Sequence, residues 1–191
     1  MELTAASTKV LMWSRLDRPG QDFCRILRTA DGYQFEGIAL FDDGGPCALQ
    51  YEVDTSALWI TRRARLHGHV ARKPVDLRIR KGRGGWFLNG QRQSHIVDCI
   101  DLDLGITPAT NQIAIRRLSL RVGQQAEAPA AYLAFPSLRL SVLAQTYRRT
   151  GRHEYQYTAP AFDYSGVIKV DGNGAVAHYP GLFRRIGGSG R

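Results

Sequence analysis

The side chains best suited to chemistry are crowded into residues 98–117, DCIDLDLGITPATNQIAIRR, where three carboxylates, a Thr-Pro-Ala-Thr-Asn run and a double arginine follow one another. In an extended strand Asp101 and Asp103 point to the same side with Cα atoms roughly 6.5 to 7 Å apart, while Leu102 and Leu104 point to the other. Carboxylates so paired can hold a hard cation such as magnesium, which takes oxygen ligands. At separations of about 5 to 9 Å they can also serve as acid and base in glycoside hydrolysis. The plainest reading is favoured: two aspartates on the wet face of a strand, solvated or paired with neighbouring arginines. Thr107-Pro-Ala-Thr-Asn111 reads as a turn, because proline fixes φ and the Thr and Asn side chains bond nearby backbone groups. Arg116-Arg-Leu-Ser-Leu-Arg-Val122 then alternates as a strand, with Arg116 on the apolar side beside Leu118, Leu120 and Val122 and with Arg117 opposite. A charge on an apolar face needs a partner, and Asp101 or Asp103 is the simplest one.

Elsewhere catalysis has no sharp signature. There is no Gly-x-Ser-x-Gly elbow for a hydrolase triad. His67 and His69 share a strand face, but no third ligand stands at a recognisable spacing, so exposed strand histidines are the favoured reading. Gly82-Arg-Gly-Gly85 lacks the Gly-Lys-Ser/Thr ending of a phosphate loop. Cys24, Cys47 and Cys99 are odd in number and far apart, and read as reduced, mostly buried thiols. No metal and no cofactor is expected. The aromatic residues offer more: Trp59 and Tyr147 fall on faces shared with arginine or glutamine, and a mixed aromatic and polar wall suits an amphipathic ligand with a sugar or phosphate head and an acyl tail.

The elements that must position these groups read as strands. Turn signals recur at Arg18-Pro-Gly, Asp31-Gly32, Asp42-Asp-Gly-Gly-Pro46, Gly82-Arg-Gly-Gly85, Asn89-Gly90 and Asp171-Gly-Asn-Gly174, with alternating runs between them. That pattern predicts an all-β, antiparallel domain. In Trp59-Ile-Thr-Arg-Arg-Ala-Arg-Leu-His-Gly-His-Val70, alternation places Leu58, Ile60, Ala64, Leu66 and Val70 on one side. Trp59, Thr61, Arg63, Arg65, His67 and His69 fall on the other. Asp76-Leu-Arg-Ile-Arg80 repeats the pattern, so the two segments can pair with their arginines on one face. Asn89-Gly90 suits a tight type I′ hairpin, Asp171-Gly-Asn-Gly174 joins 164–170 to 175–179, and 137–149 reads as strand. One domain over residues 1–186 is expected, with a disordered tail from 187 to 191.

The chain's 191 residues, 43% hydrophobic, can bury a substantial core without disulfides or metals. The start carries no signal-peptide pattern and no run of 18 apolar residues occurs, which points to a soluble, cytoplasmic protein. A net charge of +9 is a prior for a polyanionic partner. Arginine, however, is spread along the whole chain, a pattern that ordinary solvated faces also give, so nucleic acid is not the favoured partner.

At Asp101-Leu-Asp-Leu-Gly-Ile-Thr-Pro-Ala-Thr-Asn111, followed by Ile115-Arg-Arg-Leu118, the sequence resembles the "Putative glycolipid-binding" family of bacterial proteins. Further segments of the resemblance are Trp13-Ser-Arg-Leu16, Leu49-Gln-Tyr-Glu-Val53, Trp59-Ile-Thr-Arg-Arg63, Gly85-Trp-Phe-Leu-Asn-Gly90, Phe135-Pro-Ser-Leu138, Gln145-Thr-Tyr147, Tyr155-Gln-Tyr157 and Val170-Asp171 with Tyr179-Pro-Gly-Leu182, in order over residues 9 to 185. The resemblance implies a curved antiparallel sheet forming a half-open, incomplete β-barrel, similar to bacterial lipoprotein carriers. It transfers no catalytic residues, and unlike those exported carriers this chain shows no export signal. The expectation is a non-catalytic protein binding a glycolipid or another amphipathic molecule. Apolar sheet residues would hold the tail, and Trp59, Arg63, Asp101, Asp103, Thr107, Asn111, Arg116, Arg117, Gln145, Tyr147 and Tyr157 would form the ligand site. The alternatives are an enzyme acting on a sugar or phosphate through Asp101 and Asp103, and a basic nucleic-acid module. An exposed sheet edge leaves a dimer open.

Overall fold

The structure, a computed structural model, describes residues 8–188. Strands β1 (Thr8–Arg15), β2 (Gly20–Arg28), β3 (Gly32–Asp42), β4 (Pro46–Ser56), β5 (Thr61–Val70), β6 (Lys73–Gly82), β7 (Gly85–Leu88) and β8 (Gln91–Arg92) form a continuous antiparallel meander. After β9 (Asp101–Leu104) and helix α1 (Ala109–Leu118) come β10 (Gln125–Glu127), β11 (Ala130–Ala134), β12 (Arg139–Leu143), β13 (Thr146–Gly151) and β14 (Glu154–Ala159). A 3₁₀ turn (Pro160–Phe162), β15 (Tyr164–Val170), β16 (Val176–Tyr179) and β17 (Phe183–Gly188) complete the chain. One fourteen-stranded sheet runs in the order β10-β13-β14-β15-β16-β17-β1-β2-β3-β4-β5-β6-β7-β8 and does not close into a barrel. A second sheet, β12-β11-β9, contains the parallel pair β11–β9. Among the described residues no helix is long and apolar enough to cross a membrane.

The expected half-open, all-β architecture is what the chain forms, and the interior explains why the sheet stays curved. The inner face of the large sheet receives α1, β9 and the segment between them: Arg15 Nη1 donates to Ile106 O (3.2 Å), and Leu102 N donates to Thr61 Oγ1 (3.3 Å). Trp13, Phe35, Leu49, Tyr51, Leu66, Ile79, Trp86, Tyr147 and Tyr157 are fully buried there. Each large apolar side chain so removed from water contributes about 1.5–3 kcal/mol. The interior expected to hold an acyl tail is thus occupied by the protein's own side chains.

Three local expectations are corrected. Residues 107–118 are not a turn and a strand: Pro108 stands at the head of α1, and the helix runs through Arg116 and Arg117 to a left-handed Ser119 (φ 46°). Because residues 109–115 are all buried, the helix shows no polar stripe, and its period is invisible beside the alternation of Arg116–Val122. The alternation around residue 59 fails at a β-bulge, where Asp54 pairs Arg63 but Thr55 pairs Thr61. The extra Arg62 inverts the facing, so Leu58 is 73% exposed while Trp59 is buried. Finally, Gly187 and Gly188 pair with Met12 and Leu11 inside β17; the rest of the expected tail, 189–191, lies outside the described residues. The Asn89-Gly90 hairpin (φ 49° and 82°), the 171–174 turn and the strands within 137–149 form as read.

Candidate functional site

The buried end of α1 is built first. Arg117 donates to Asp101 through Nε (2.8 Å) and Nη2 (2.6 Å), with the carboxyl side chain 2% exposed. This two-pronged pair ties the last turn of α1 to β9. The partner of Asp101 is therefore Arg117 and not Arg116, because helical rather than strand spacing turns residue 117 inward and leaves 116 exposed. Asp103 has its carboxyl pushed up to about 7 by burial and by the charge of Asp101, against a hydrogen bond from Thr110. Tyrosines surround it. The Tyr157 ring packs on Tyr147 (4.9 Å), Tyr179 (5.6 Å) and Tyr164 (5.9 Å); burial, and then the Asp103 charge among other neighbours, pushes the phenols of Tyr147, Tyr157 and Tyr179 upward.

The remaining polar groups of the motif are also satisfied inside. Asn111 Nδ2 donates to Tyr147 OH (2.9 Å), and Tyr157 OH donates to Gln145 Oε1 (2.7 Å). Thr107 Oγ1 accepts the Ala109 N–H (3.1 Å) and donates to Asp22 Oδ2 (2.5 Å), to which Tyr51 OH also donates (3.2 Å). Burial raises Asp22 to about 8 despite those bonds and the nearby Arg15. Tyr51 reaches it only because residue 37 is glycine: a Cβ there would collide with the Tyr51 ring.

Two clefts open beside this interior, and they share Arg116. In one, of about 280 Å³, Trp59 and Tyr33 are stacked with centroids 3.9 Å apart, and the Arg116 guanidinium lies 5.2 Å from the Trp59 ring. Lys9, Arg28 and Gln112 complete its polar wall. Gln112 is 3% exposed; its Nε2 donates to Asn173 O (3.0 Å), while its Oε1 has no partner among the described residues. The second cleft, about 260 Å³, is lined by Arg116, Arg149, Arg152, His153 and the Asp171–Gly174 turn, and His153 Nδ1 is likewise without a partner. Burial raises the Asp171 carboxyl, but Lys9 (2.5 Å), Arg185 (2.7 Å) and the Asn173 N–H outweigh it and hold the group below its ordinary value. The turn between the clefts is thereby fixed.

Of the residues expected to form one headgroup site, Trp59 and Arg116 meet in the first cleft. Asp101, Thr107, Asn111, Arg117, Gln145, Tyr147 and Tyr157, with the partly buried Asp103, form the interior network behind it. Arg63 lies apart on the outer face, paired with Asp54. Among the described residues no three His, Cys, Asp or Glu side chains gather in a metal-holding group. Sequence reading missed Tyr33, Lys9, Gln112 and Asp22. Asp22 had a signal: alternation puts it on the side of Cys24 and Ile26, where a carboxyl is out of place.

No curated protein matches the chain. Among solved structures, the crystal structure of a DUF1089 family protein from Pseudomonas aeruginosa is similar over 86% of this chain and 92% of that one, at 32% identity and a TM-score of 0.77. The family described as "Putative glycolipid-binding" matches residues 10–185, which take in α1, the second cleft, all of the first cleft but Lys9, and all of the large sheet but the ends of the chain's first and last strands, β1 and β17. By that match over nearly its whole length, the chain belongs to this family.

Proposed function

We propose that the protein binds the polar head of an amphipathic molecule, an anionic or sugar-bearing lipid, in the cleft of Tyr33, Trp59 and Arg116. One observation carries the reading: Arg116 is exposed, has no carboxylate partner among the described residues, lies against an aromatic stack and is shared by both clefts. A guanidinium so placed offers paired N–H donors to a phosphate or carboxylate, and Tyr33, the half-buried ring of the stack, offers a flat amphipathic surface to the apolar side of a sugar. Cleft volume sets the size of the ligand group. Clefts of about 280 and 260 Å³ lie just below the usual range of small-molecule sites, which begins at about 300 Å³, enough for a headgroup and too little for an acyl chain as well. With the interior packed, the tail stays outside, where Leu58 and Ile60 flank Trp59 as exposed apolar surface. The family's description supports the ligand class.

The test is native mass spectrometry with a short-chain phosphatidylinositol as probe, on the wild type, Arg116→Ala and Arg63→Ala. Losing one charge-assisted contact costs about 1.5–3 kcal/mol, so Arg116→Ala is expected to weaken binding by roughly tenfold or more while Arg63→Ala leaves it unchanged. Equal binding by all three proteins, or none by the wild type, refutes this site.

A further inference from the structure

Arginines occur along the whole chain, but the carboxylates that offset them do not. Residues 61–92 hold ten of the 26 Lys and Arg residues and one of the 17 Asp and Glu residues. The surplus of that segment equals the entire net charge of +9, and the rest of the molecule is neutral.

In the fold this segment is β5, β6, β7 and β8, the last four strands at one edge of the open sheet. Its inner side is anchored by the buried Ala64, Leu66, Ile79 and Trp86. On the outer side, register sets Arg63 opposite Arg80 and Arg65 opposite Arg78. Like charges directly across a sheet repel, so this ladder adds nothing to stability. Asp54 and Asp76 pair Arg63 and Arg65; among the described residues Arg62, Arg72, Lys73, Arg78, Arg80, Arg83 and Arg92 have no carboxylate partner. Three grooves of about 610, 380 and 570 Å³ open on the face, and Arg80 lines all three.

We propose that this arginine ribbon docks the protein on an anionic phospholipid surface. The partner matches the shape of the charge. The cations spread over a broad strand surface with no helix projecting to enter a nucleic-acid groove, and Phe87, the aromatic ring on this face, is covered by the Arg80 guanidinium at 4.5 Å rather than free to stack a base. Leu58 and Ile60 stand exposed in the turn leading into β5, next to Arg62 and Arg63, and apolar side chains beside cations suit the boundary of headgroups and acyl chains. The inference is independent of the cleft: the ribbon would bring the protein to a surface whatever the cleft takes from it.

The experiment is co-sedimentation with vesicles of phosphatidylcholine alone and of phosphatidylcholine with phosphatidylglycerol. The proteins are the wild type, the double variant Arg78→Gln with Arg80→Gln, its Lys counterpart, and Arg139→Ala, which removes an exposed arginine of β12 outside both the ribbon and the cleft. Each cation near an anionic membrane contributes about 1 kcal/mol, so the Gln pair is expected to bind roughly 25-fold more weakly. The Lys pair and Arg139→Ala should bind as the wild type does, salt should weaken binding, and all variants should melt like the wild type. Equal sedimentation with uncharged vesicles, or undiminished binding by a folded Gln pair, overturns the proposal. So does displacement from the vesicles by a duplex or single-stranded oligonucleotide at a lower phosphate concentration, which would hand the ribbon to nucleic acid.

Discussion

Residues 98–118 and 61–92 use charge in opposite ways. In the first, Asp101, Asp103, Thr107, Asn111 and Arg117 face inward, and their polar groups are met by one another, by Asp22, by Thr110 or by tyrosines. In the second, cations face water and most have no carboxylate to answer them. The stretch that looks most like a reaction centre is a brace, and the one that looks like ordinary strand holds the unspent charge. What a side chain can do for a ligand is what remains after the fold has taken its share, and burial decides that division.

The sharpest test of this contrast is Arg117→Ala. Removing one partner of a buried ion pair costs about 3–5 kcal/mol, so the midpoint of urea unfolding should fall far, whereas Arg65→Ala on the ribbon should stay within about 0.5 kcal/mol of wild type. Similar losses at both sites would erase the distinction.

A second test uses pH. Asp22 and Asp103 have folded pKa values of about 8 and about 7, against about 3.9 for an unfolded aspartate. Between pH 4 and those values the unfolded chain has released protons that the folded chain retains. These two groups therefore make stability fall as pH rises through that window, by at most about 1.4 kcal/mol per pH unit for each. Thermal melts of Asp22→Asn should show a flatter decline from pH 5 to 8, and an unchanged slope would remove Asp22 from the account. Smaller again is Tyr147→Phe, which strips the acceptor from Asn111 Nδ2 and should cost about 1–3 kcal/mol in denaturant unfolding. The smallest effect belongs to Arg78→Gln, opposite Arg65: a change within about 0.5 kcal/mol, directed toward greater stability as repulsion is relieved.

Strands and hairpins were legible because alternation and turn residues are local signals. Asn89-Gly90 announced its turn, and parity put the arginines of the two paired segments on one face, while the register that sets Arg63 against Arg80 and Arg65 against Arg78 came from the fold. α1 was hidden because its first seven residues, Ala109–Ile115, are buried on every side and leave no polar stripe to mark a period, and Trp59 was misplaced by a single bulge residue, a feature of the partner strand as much as of its own. At the site, the need of an arginine for Asp101 or Asp103 could be reasoned from charge. Which arginine met it depended on helix geometry. The meeting of Tyr33, Trp59, Gln112 and Arg116 joins three separated segments, and no spacing rule connects them.

The placement of the three tryptophans gives the molecule an internal light source for its cleft. Trp13 and Trp86 are sealed, their indole N–H groups donated to the carbonyls of Val176 (2.8 Å) and Cys99 (3.0 Å). Trp59 alone lines a cleft, its ring stacked on a tyrosine and close to the Arg116 guanidinium. Any occupant that draws that cation aside changes the electric field at one indole in three. Emission colour and lifetime thereby become a label-free readout of occupancy, against the emission of the two sealed indoles.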